Sequence, residues 1–366
     1  MIICFIKNII IVYTSTMSLV DLKTRVLKDK YIWIIRTEEN EPNVRFGLCC
    51  INSHLRKKDI FCSRTVIRKN FTVEKAKELA SKNLQDLMSI LKWNNEYGIH
   101  HYRLSSDMFP HMNDKETEKY SLCDFKDRLK EIGKYARYSN QRITMHPGQY
   151  NQIGSKSQSV FEATVDDLSH HADILDYMEM DENSILCIHG GGVYNDKENT
   201  IRRWIEQFGD LPEKVKKRIA IENCELNYNV EDCLYIAEEC KIPVIFDVHH
   251  FNCYNKKYDL DWDAKDYIPY ILDSWEERRM VAHISDQKED ARLGAHHDYV
   301  YSIPRYLMEI PELYRVGVDI EIEAKAKEKA IFKLYKRYKH KLGKQIDYRV
   351  PLNYVDKYFL LESQVK

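Results

Sequence analysis

Eight short apolar runs, each followed by a longer stretch of helical period, dominate this chain and leave few architectures open to it. The runs occupy 44–51, 100–104, 142–145, 185–188, 219–221, 244–246, 280–284 and 316–322. Apolar residues then recur at helical spacing over 72–91, 123–138, 159–178, 197–208, 230–240, 263–275, 298–308 and 326–338. This alternation marks parallel α/β architecture, because adjacent parallel strands need a crossover and a helix usually supplies it. Thr72 ahead of Glu74, and Asn229 ahead of Val230, are placed as helix N-caps. Eight of each element predict a single (β/α)8 TIM barrel; a doubly wound open sheet competes, since strand count alone does not close a sheet.

The outer bounds follow from this reading: an N-terminal extension over 1–43, the barrel over 44–338, and a basic, Tyr-rich tail over 339–366 containing Lys341, Lys344 and Arg349. With 12 Gly and 9 Pro in 366 residues, collagen-like and low-complexity classes are excluded. Fifty-six Lys+Arg against 57 Asp+Glu leave a net charge of -1, which excludes a globally basic coat but not a local basic face. The 10 cysteines form no paired CxxC motifs, so an intracellular, reducing compartment is expected and zinc fingers are not. The apolar run from Ile2 to Val12 is broken by Lys7 and Asn8, too short to span a bilayer, and without a small-residue cleavage site. Met17 offers an alternative start.

Function is written where the strands stop. Strand three ends in His146, strand four in His189 and strand five in Glu222. Strand six ends in Asp247 with His249 and His250 behind it, strand seven in His283 and strand eight in Glu323. A lone His after a strand is more often a satisfied loop or core residue than a ligand. Six residues at equivalent positions are different, because a barrel gathers them on its C-terminal rim, where active sites lie. Without a cation Glu222, Asp247 and Glu323 would repel one another in a desolvated cleft. Imidazole and carboxylate without Cys at the strand ends suit manganese or zinc, and the surplus of candidates predicts two or three ions. Such a cluster can stabilise both the attacking and the leaving oxygen of a phosphodiester, whereas a sugar isomerase needs fewer ligands.

The loop over 52–70 carries Arg56, Lys57, Lys58, Arg64, Arg68 and Lys69 against Asp59 alone. On the active rim of a neutral protein, this run is read as phosphate-binding, with Arg56, Lys57, Lys58 and Arg64 as contacts. Gln149 and Tyr150 follow His146 closely and offer an amide and an aromatic plane to a base. Gly190–Gly192 are placed as a close-approach loop.

The strings RFGLCCIN, NLQDLMSILKWNNEYGIHHYRLSSDMFP, HPGQYNQ, HHADILDYM, IHGGGVYNDKENTIRRW, IENCE, VIFDVHH, AHIS, AHHDYV and DIEIEAKAKE resemble, in collinear order from Val44 to Leu334, those of UV damage endonucleases. The resemblance implies a barrel with a cluster of divalent ions, manganese foremost and zinc or magnesium as alternatives. It also implies damaged double-stranded DNA as substrate, nicked immediately 5′ to the lesion to leave 3′-hydroxyl and 5′-phosphate ends. By motif the ligands would be His146, His189, Glu222, Asp247, His250, His283, His296 and Glu323, and Gln149 and Tyr150 would probe the damaged bases. Glu222, His283 and Glu323 are expected to carry catalysis, in a monomer with no membrane partner. The chain departs from the family pattern at Asp114, where a ligand His is usual, and at Val281, where a Lys is usual. Asp114 can still ligate a hard ion, with nearby His111 as a substitute; Val281 cannot ligate at all. A sugar isomerase or epimerase on the same fold, and a non-catalytic damage-binding protein, are the competing readings.

Overall fold

The computed structural model describes residues 43–338 throughout, together with the backbone of four short strands outside that range. Ile3–Ile6 pairs antiparallel with Ile9–Val12, and Tyr31–Trp33 with Arg349–Pro351. Within 43–338, eight parallel strands close on themselves: β1 (Val44–Cys49), β2 (His101–Leu104), β3 (Arg142–Met145), β4 (Leu186–His189), β5 (Ile219–Glu222), β6 (Val244–Asp247), β7 (Met280–Ile284) and β8 (Val318–Ile322). The closing pair sets Val318 against Val44 and Ile322 against Leu48. The sheet is therefore a barrel, and the open-sheet alternative is excluded.

The helices α1 (Val73–Glu96), α2 (Lys126–Tyr138), α3 (Gln158–Tyr177), α4 (Lys197–Gly209), α5 (Val230–Cys240), α6 (Val248–Tyr258) and α7 (Ala264–Ser274) lie between the barrel strands, and α8 (Glu328–Tyr338) follows β8. In α1, Ala76, Ala80, Leu84, Leu87 and Leu91 are buried at helical spacing and form its core face. Both anticipated caps are present: Thr72 accepts from the Lys75 N–H, and Asn229 forms a reciprocal capping box with Asp232.

Two stretches differ from the sequence-based expectation. The helix predicted over 298–308 is reduced to Arg305–Met308 followed by Ile310–Tyr314, with Pro304 (φ -53°, ψ 138°) as the non-helical N-cap, because a proline disfavours a helical residue before it. A helix not anticipated, α6, follows β6 directly, because the Asp247 side chain accepts from the His250 N–H and serves as its N-cap.

The barrel interior is polar as well as apolar. Asp319, fully buried on β8, receives Arg45 Nε at 2.6 Å, Arg142 Nη1 at 3.0 Å and Arg279 Nε at 3.1 Å, from three other strands or their edges. Burial would raise the Asp319 carboxyl, but the Arg279 and Arg45 guanidiniums outweigh it and hold it well below the usual range. Gly47 leaves room for the His101 ring, since a Cβ there would sit 2.5 Å from His101 Cδ2. His101 then spans two layers, with Nδ1 3.3 Å from Asp319 and Nε2 2.7 Å from Glu321.

Removing the Asp319 charge leaves three guanidiniums in the barrel floor without a common partner. Asp319→Asn is expected to cost about 3–5 kcal/mol of stability in denaturant titrations. A carboxyl with a depressed folded pKa stabilises above its unfolded value of about 3.9 and loses that contribution as pH falls through the folded value. The acid limb of the stability curve should therefore be flatter in the variant; an unchanged limb would remove Asp319 from the floor's ion balance.

Candidate metal centre

The rim is set by where the strands end. His189 and Glu222 are the last residues of β4 and β5 and are register partners; Asp247, the last of β6, faces His283 on β7 in the same way. His146 and Glu323 stand one residue beyond β3 and β8. Because side chains alternate across a strand, each of these residues points into the barrel mouth while its neighbours pack against helices.

Glu222, 1% exposed, is the centre. His283 Nδ1 lies 2.9 Å from Oε1, and His250 Nδ1 3.6 Å from the same oxygen. His146 Nε2 and His189 Nε2 stand 3.1 and 3.6 Å from Oε2. Three metal-capable groupings share this carboxylate: His146–Cys187–Glu222, His189–Glu222–His250 and Glu222–Asp247–His283, each with donor atoms within 4.8 Å of one another. Burial would raise the Glu222 carboxyl, yet the imidazoles of His283 and His189 hold it well below its ordinary value. His283 is raised well above its ordinary value, with Glu222 and Glu321 overriding burial. Against the same opposition Asp247, Glu222 and Glu225 push His250 up to about 9. Burial lowers His189 to about 4 and raises Asp247.

Two buried atoms test whether these residues suit a cation. Asp247 Oδ2 and His189 Nδ1 have no hydrogen-bond partner among the described residues. A buried carboxylate oxygen without a donor is costly, and a cation held by Asp247, Glu222 and His283 would satisfy it. The donor set fits a divalent ion.

Glu323 anchors the far side. Its side chain pairs with Arg103 and lies 3.7 Å from His283 Nδ1. Burial would raise it, but Arg103 and His283 bring it down to about 2. His296 is brought in by the long loop after β7, with Nδ1 2.9 Å from the Glu323 carbonyl and 3.5 Å from its carboxylate. Asp114 is not gathered with the others. It pairs with Arg68 at 2.9 Å and with His111 Nδ1 at 3.1 Å, in the loop after β2. Val281 is fully buried two residues before His283 on the same strand.

Sequence reasoning missed the residues one layer below the rim. Glu321 sits 3.1 Å from His283 Nε2 and 3.2 Å from Arg103, and accepts from the Thr144 hydroxyl at 2.7 Å. Cys187 donates its thiol to Glu222 Oε2 at 3.0 Å, and Cys49 lies near Glu321 and Glu323. The expectation of no cysteine at the strand ends is thus corrected, although burial raises both thiols well above their ordinary range. The available signal was period-2 alternation: Cys187 precedes His189 by two, and Glu321 precedes Glu323 by two.

The basic loop is fastened from a distance. Glu328, at the start of α8, accepts from Ser53 N at 2.7 Å and His54 N at 3.0 Å, capping the short helix Ser53–Arg56. Arg56, the last residue of that helix, and Lys57 and Lys58 after it are exposed. Arg64, expected to face phosphate, is instead buried: its guanidinium pairs with Asp86 at 2.6 Å and lies 4.0 Å from the Phe61 ring centroid. The reason is α1, which presents Asn83 and Asp86 one turn apart; Asn83 binds the Arg64 backbone while Asp86 takes its charge.

Tyr150, four residues beyond His146, is 66% exposed. Gly148 makes its pose possible, since a Cβ there would fall 2.3 Å from Tyr150 Cε1. Partial burial of the hydroxyl and the carboxylates of Asp167 and Asp107 push its pKa up to about 12. The glycines after β4 serve the protein's own packing: a Cβ at Gly190 would enter the Tyr228 ring, and Gly191 and Gly192 lie against Gln152.

Fold and site together define a (β/α)8-barrel protein whose C-terminal mouth holds a histidine–carboxylate cluster suited to divalent cations. The profile of the UV-endonuclease UvdE family matches residues 44–352, and the chain belongs to that family. A protein of Acanthamoeba polyphaga mimivirus assigned as a UV-damage endonuclease is 37% identical over 309 residues, covering 82% of this chain and 92% of its own. The UV-damage endonuclease of Schizosaccharomyces pombe is 34% identical over 312 residues; the match takes in 80% of this chain but only 50% of that longer protein. The crystal structure of SacUVDE aligns with a TM-score of 0.73 at 30% identity, covering 81% of this chain and 98% of that one.

Proposed function

We propose that the protein is a metal-dependent DNA repair endonuclease that nicks damaged duplex immediately 5′ to UV photoproducts and other distorting lesions, leaving 3′-hydroxyl and 5′-phosphate ends. The observation that carries this reading is the convergence of His146, His189, His250 and His283 on one buried carboxylate, Glu222, with Asp247 Oδ2 left without a hydrogen-bond donor beside it. His146, His189, Glu222, Asp247, His250, His283, His296 and Glu323 would hold two or three divalent ions, manganese foremost. Such ions supply Lewis-acid stabilisation of phosphoryl oxygens and make water a nucleophile at neutral pH.

The chain's own residues do the rest. Glu222 and Asp247 concentrate negative charge at the bottom of the mouth, and the barrel wall keeps bulk water from screening it. Glu321, itself held by His101 and Thr144, faces His283 Nε2 and leaves Nδ1 directed at Glu222. Arg56, Lys57 and Lys58 would grip the phosphate backbone without reading sequence. Gln149 and Tyr150 would probe the bases, because a damaged pair costs less to unstack than an intact one. The barrel and its rim, over 44–338, would act as one catalytic domain on duplex DNA.

Glu222→Gln keeps the side chain's volume and removes the shared charge. It is expected to lower nicking of irradiated plasmid roughly a hundredfold or more and to reduce the divalent ions retained in elemental analysis from two or more per chain. A variant that cuts and retains metal like the parent would exclude Glu222 as a ligand.

Neutralising Arg56, Lys57 and Lys58 together should weaken binding to irradiated and intact duplex equally. The dependence of log affinity on log salt should flatten by about 0.9 for each phosphate that the variant no longer neutralises. Binding titrations between low and physiological salt measure this, and an unchanged slope would place the run on a merely solvated face.

A further inference from the structure

The exposed turn that carries Gln149 and Tyr150 is tied to the body of the protein through one buried carboxylate. Asn151, directly after Tyr150 and 4% exposed, closes the turn by donating its backbone N–H and its Nδ2 to the Gly148 carbonyl, each at 3.0 Å. The same Nδ2 donates to Asp167 Oδ2 at 2.8 Å. The other oxygen, Asp167 Oδ1, accepts from Asn113 Nδ2 at 3.0 Å, and Asn113 belongs to the loop after β2. Asp167 thus joins two rim loops to α3. One turn earlier on the same helix face, the Thr164 hydroxyl accepts from the Gln152 N–H at 3.0 Å, so both residues after Tyr150 are held by α3. Asp167 is also one of the two carboxylates that act on the Tyr150 hydroxyl.

The close donors on this buried carboxylate are neutral: the Asn151 and Asn113 amides, and the Tyr150 hydroxyl, which also hydrogen-bonds it. The His171 imidazole stands farther off, with Nδ1 3.5 Å from Oδ2 and 2.7 Å from the Asp167 carbonyl. A carboxylate so placed is a costly choice for mere packing. Two Asn side chains from different loops on its two oxygens instead fix the distance between those loops. Base probing by an exposed ring needs such rigidity, because a ring free to swing forfeits stacking free energy as lost entropy.

We infer that Asp167 is a positioning residue for lesion recognition, setting the pose of Gln149 and Tyr150 over the rim by clamping Asn151 and Asn113. It has no part in holding the ions and touches no substrate. The inference rests on the probing role given above to Gln149 and Tyr150, and the test separates the two.

The measurement is the ratio of affinities for irradiated and intact duplex of one sequence, with divalent content and melting temperature recorded for each variant of the full chain. Tyr150→Ala is expected to lower the ratio roughly tenfold, the loss of one stacked base. Asp167→Asn should lower it to a similar extent while divalent content stays unchanged, because an Asn amide can accept from Asn151 but then sets its own NH2 against that of Asn113. The double variant Asp167→Asn with Asn113→Asp reverses the polarity of that pair and should restore the ratio. Asn151→Ala, which cuts the clamp from the loop side, should reproduce the loss even if Asp167→Asn fails to fold. If Tyr150→Ala keeps the full ratio, the probing role falls and the inference with it. If Tyr150→Ala loses the ratio while Asp167→Asn and Asn151→Ala keep it, the probing role stands and Asp167 is not its clamp. Failure of the double variant to restore the ratio, or loss of divalent ions in Asp167→Asn, would also overturn the assignment.

Discussion

Glu222 has almost no contact with water, yet four imidazoles, from a loop, two strands and the start of α6, are drawn to its two oxygens. Burying that carboxylate is tolerable only if positive or polarised groups surround it, and the barrel is the device that brings them there. Each histidine is local to its own strand end, separated from Glu222 by tens of residues, and lateral pairing of the strands with the curvature of the barrel makes them neighbours. The mouth is a concentrated set of lone pairs, and Asp247 Oδ2, buried and without a donor among the described residues, is left for a cation to satisfy.

Below the mouth, the interior continues as a column of acidic side chains alternating with arginines and histidines. Asp319 takes three arginines at the floor, His101 links Asp319 to Glu321, Glu321 meets Arg103 and His283, and His283 reaches Glu222. Polar networks of this kind are costly when partly satisfied and rigid when complete. At the floor Asp319 cross-links β8 to β1, β3 and the edge of β7 through its three arginines, so the rim residues stand on a braced base. Gly47 belongs to this column although it carries no charge, since its missing side chain is the space His101 occupies.

The loops divide into those that face outward and those that hold them. Arg64 and Arg56 lie in one short basic run, but Arg64 is engaged by Asp86 inside the protein while Arg56, Lys57 and Lys58 remain outside. Glu328 caps the helix bearing the exposed run from far along the chain, and Asp167 ties the Gln149–Tyr150 turn to α3. A run of like charges therefore contains both a structural member and solvent-facing ones, and burial tells them apart.

Alternation of apolar runs and helical periods was enough to name parallel α/β architecture and to favour the barrel, because parallel strands need crossovers, but closure, which excludes the doubly wound sheet, was decided by the pairing of β8 with β1. It was also enough to name the rim: His146, His189, Glu222, Asp247, His283 and Glu323 are the residues at which apolar runs stop, and strand ends are local features. The N-caps Thr72 and Asn229 were legible for the same reason. For Glu321 and Cys187 the period of two behind Glu323 and His189 gave the inward face but not the partners, and Arg103 and His101 find theirs only on β8. Not legible either was the fate of Arg64, which depends on Asn83 and Asp86 arriving from a separate helix, or that of Asp114, paired with Arg68 and His111 apart from the Glu222 cluster. Residue type and spacing along the chain determined which chemistry was available. Tertiary structure alone decided which charges meet, because Coulombic and hydrogen-bond partners are set by distance in space, and closure of the barrel sets those distances.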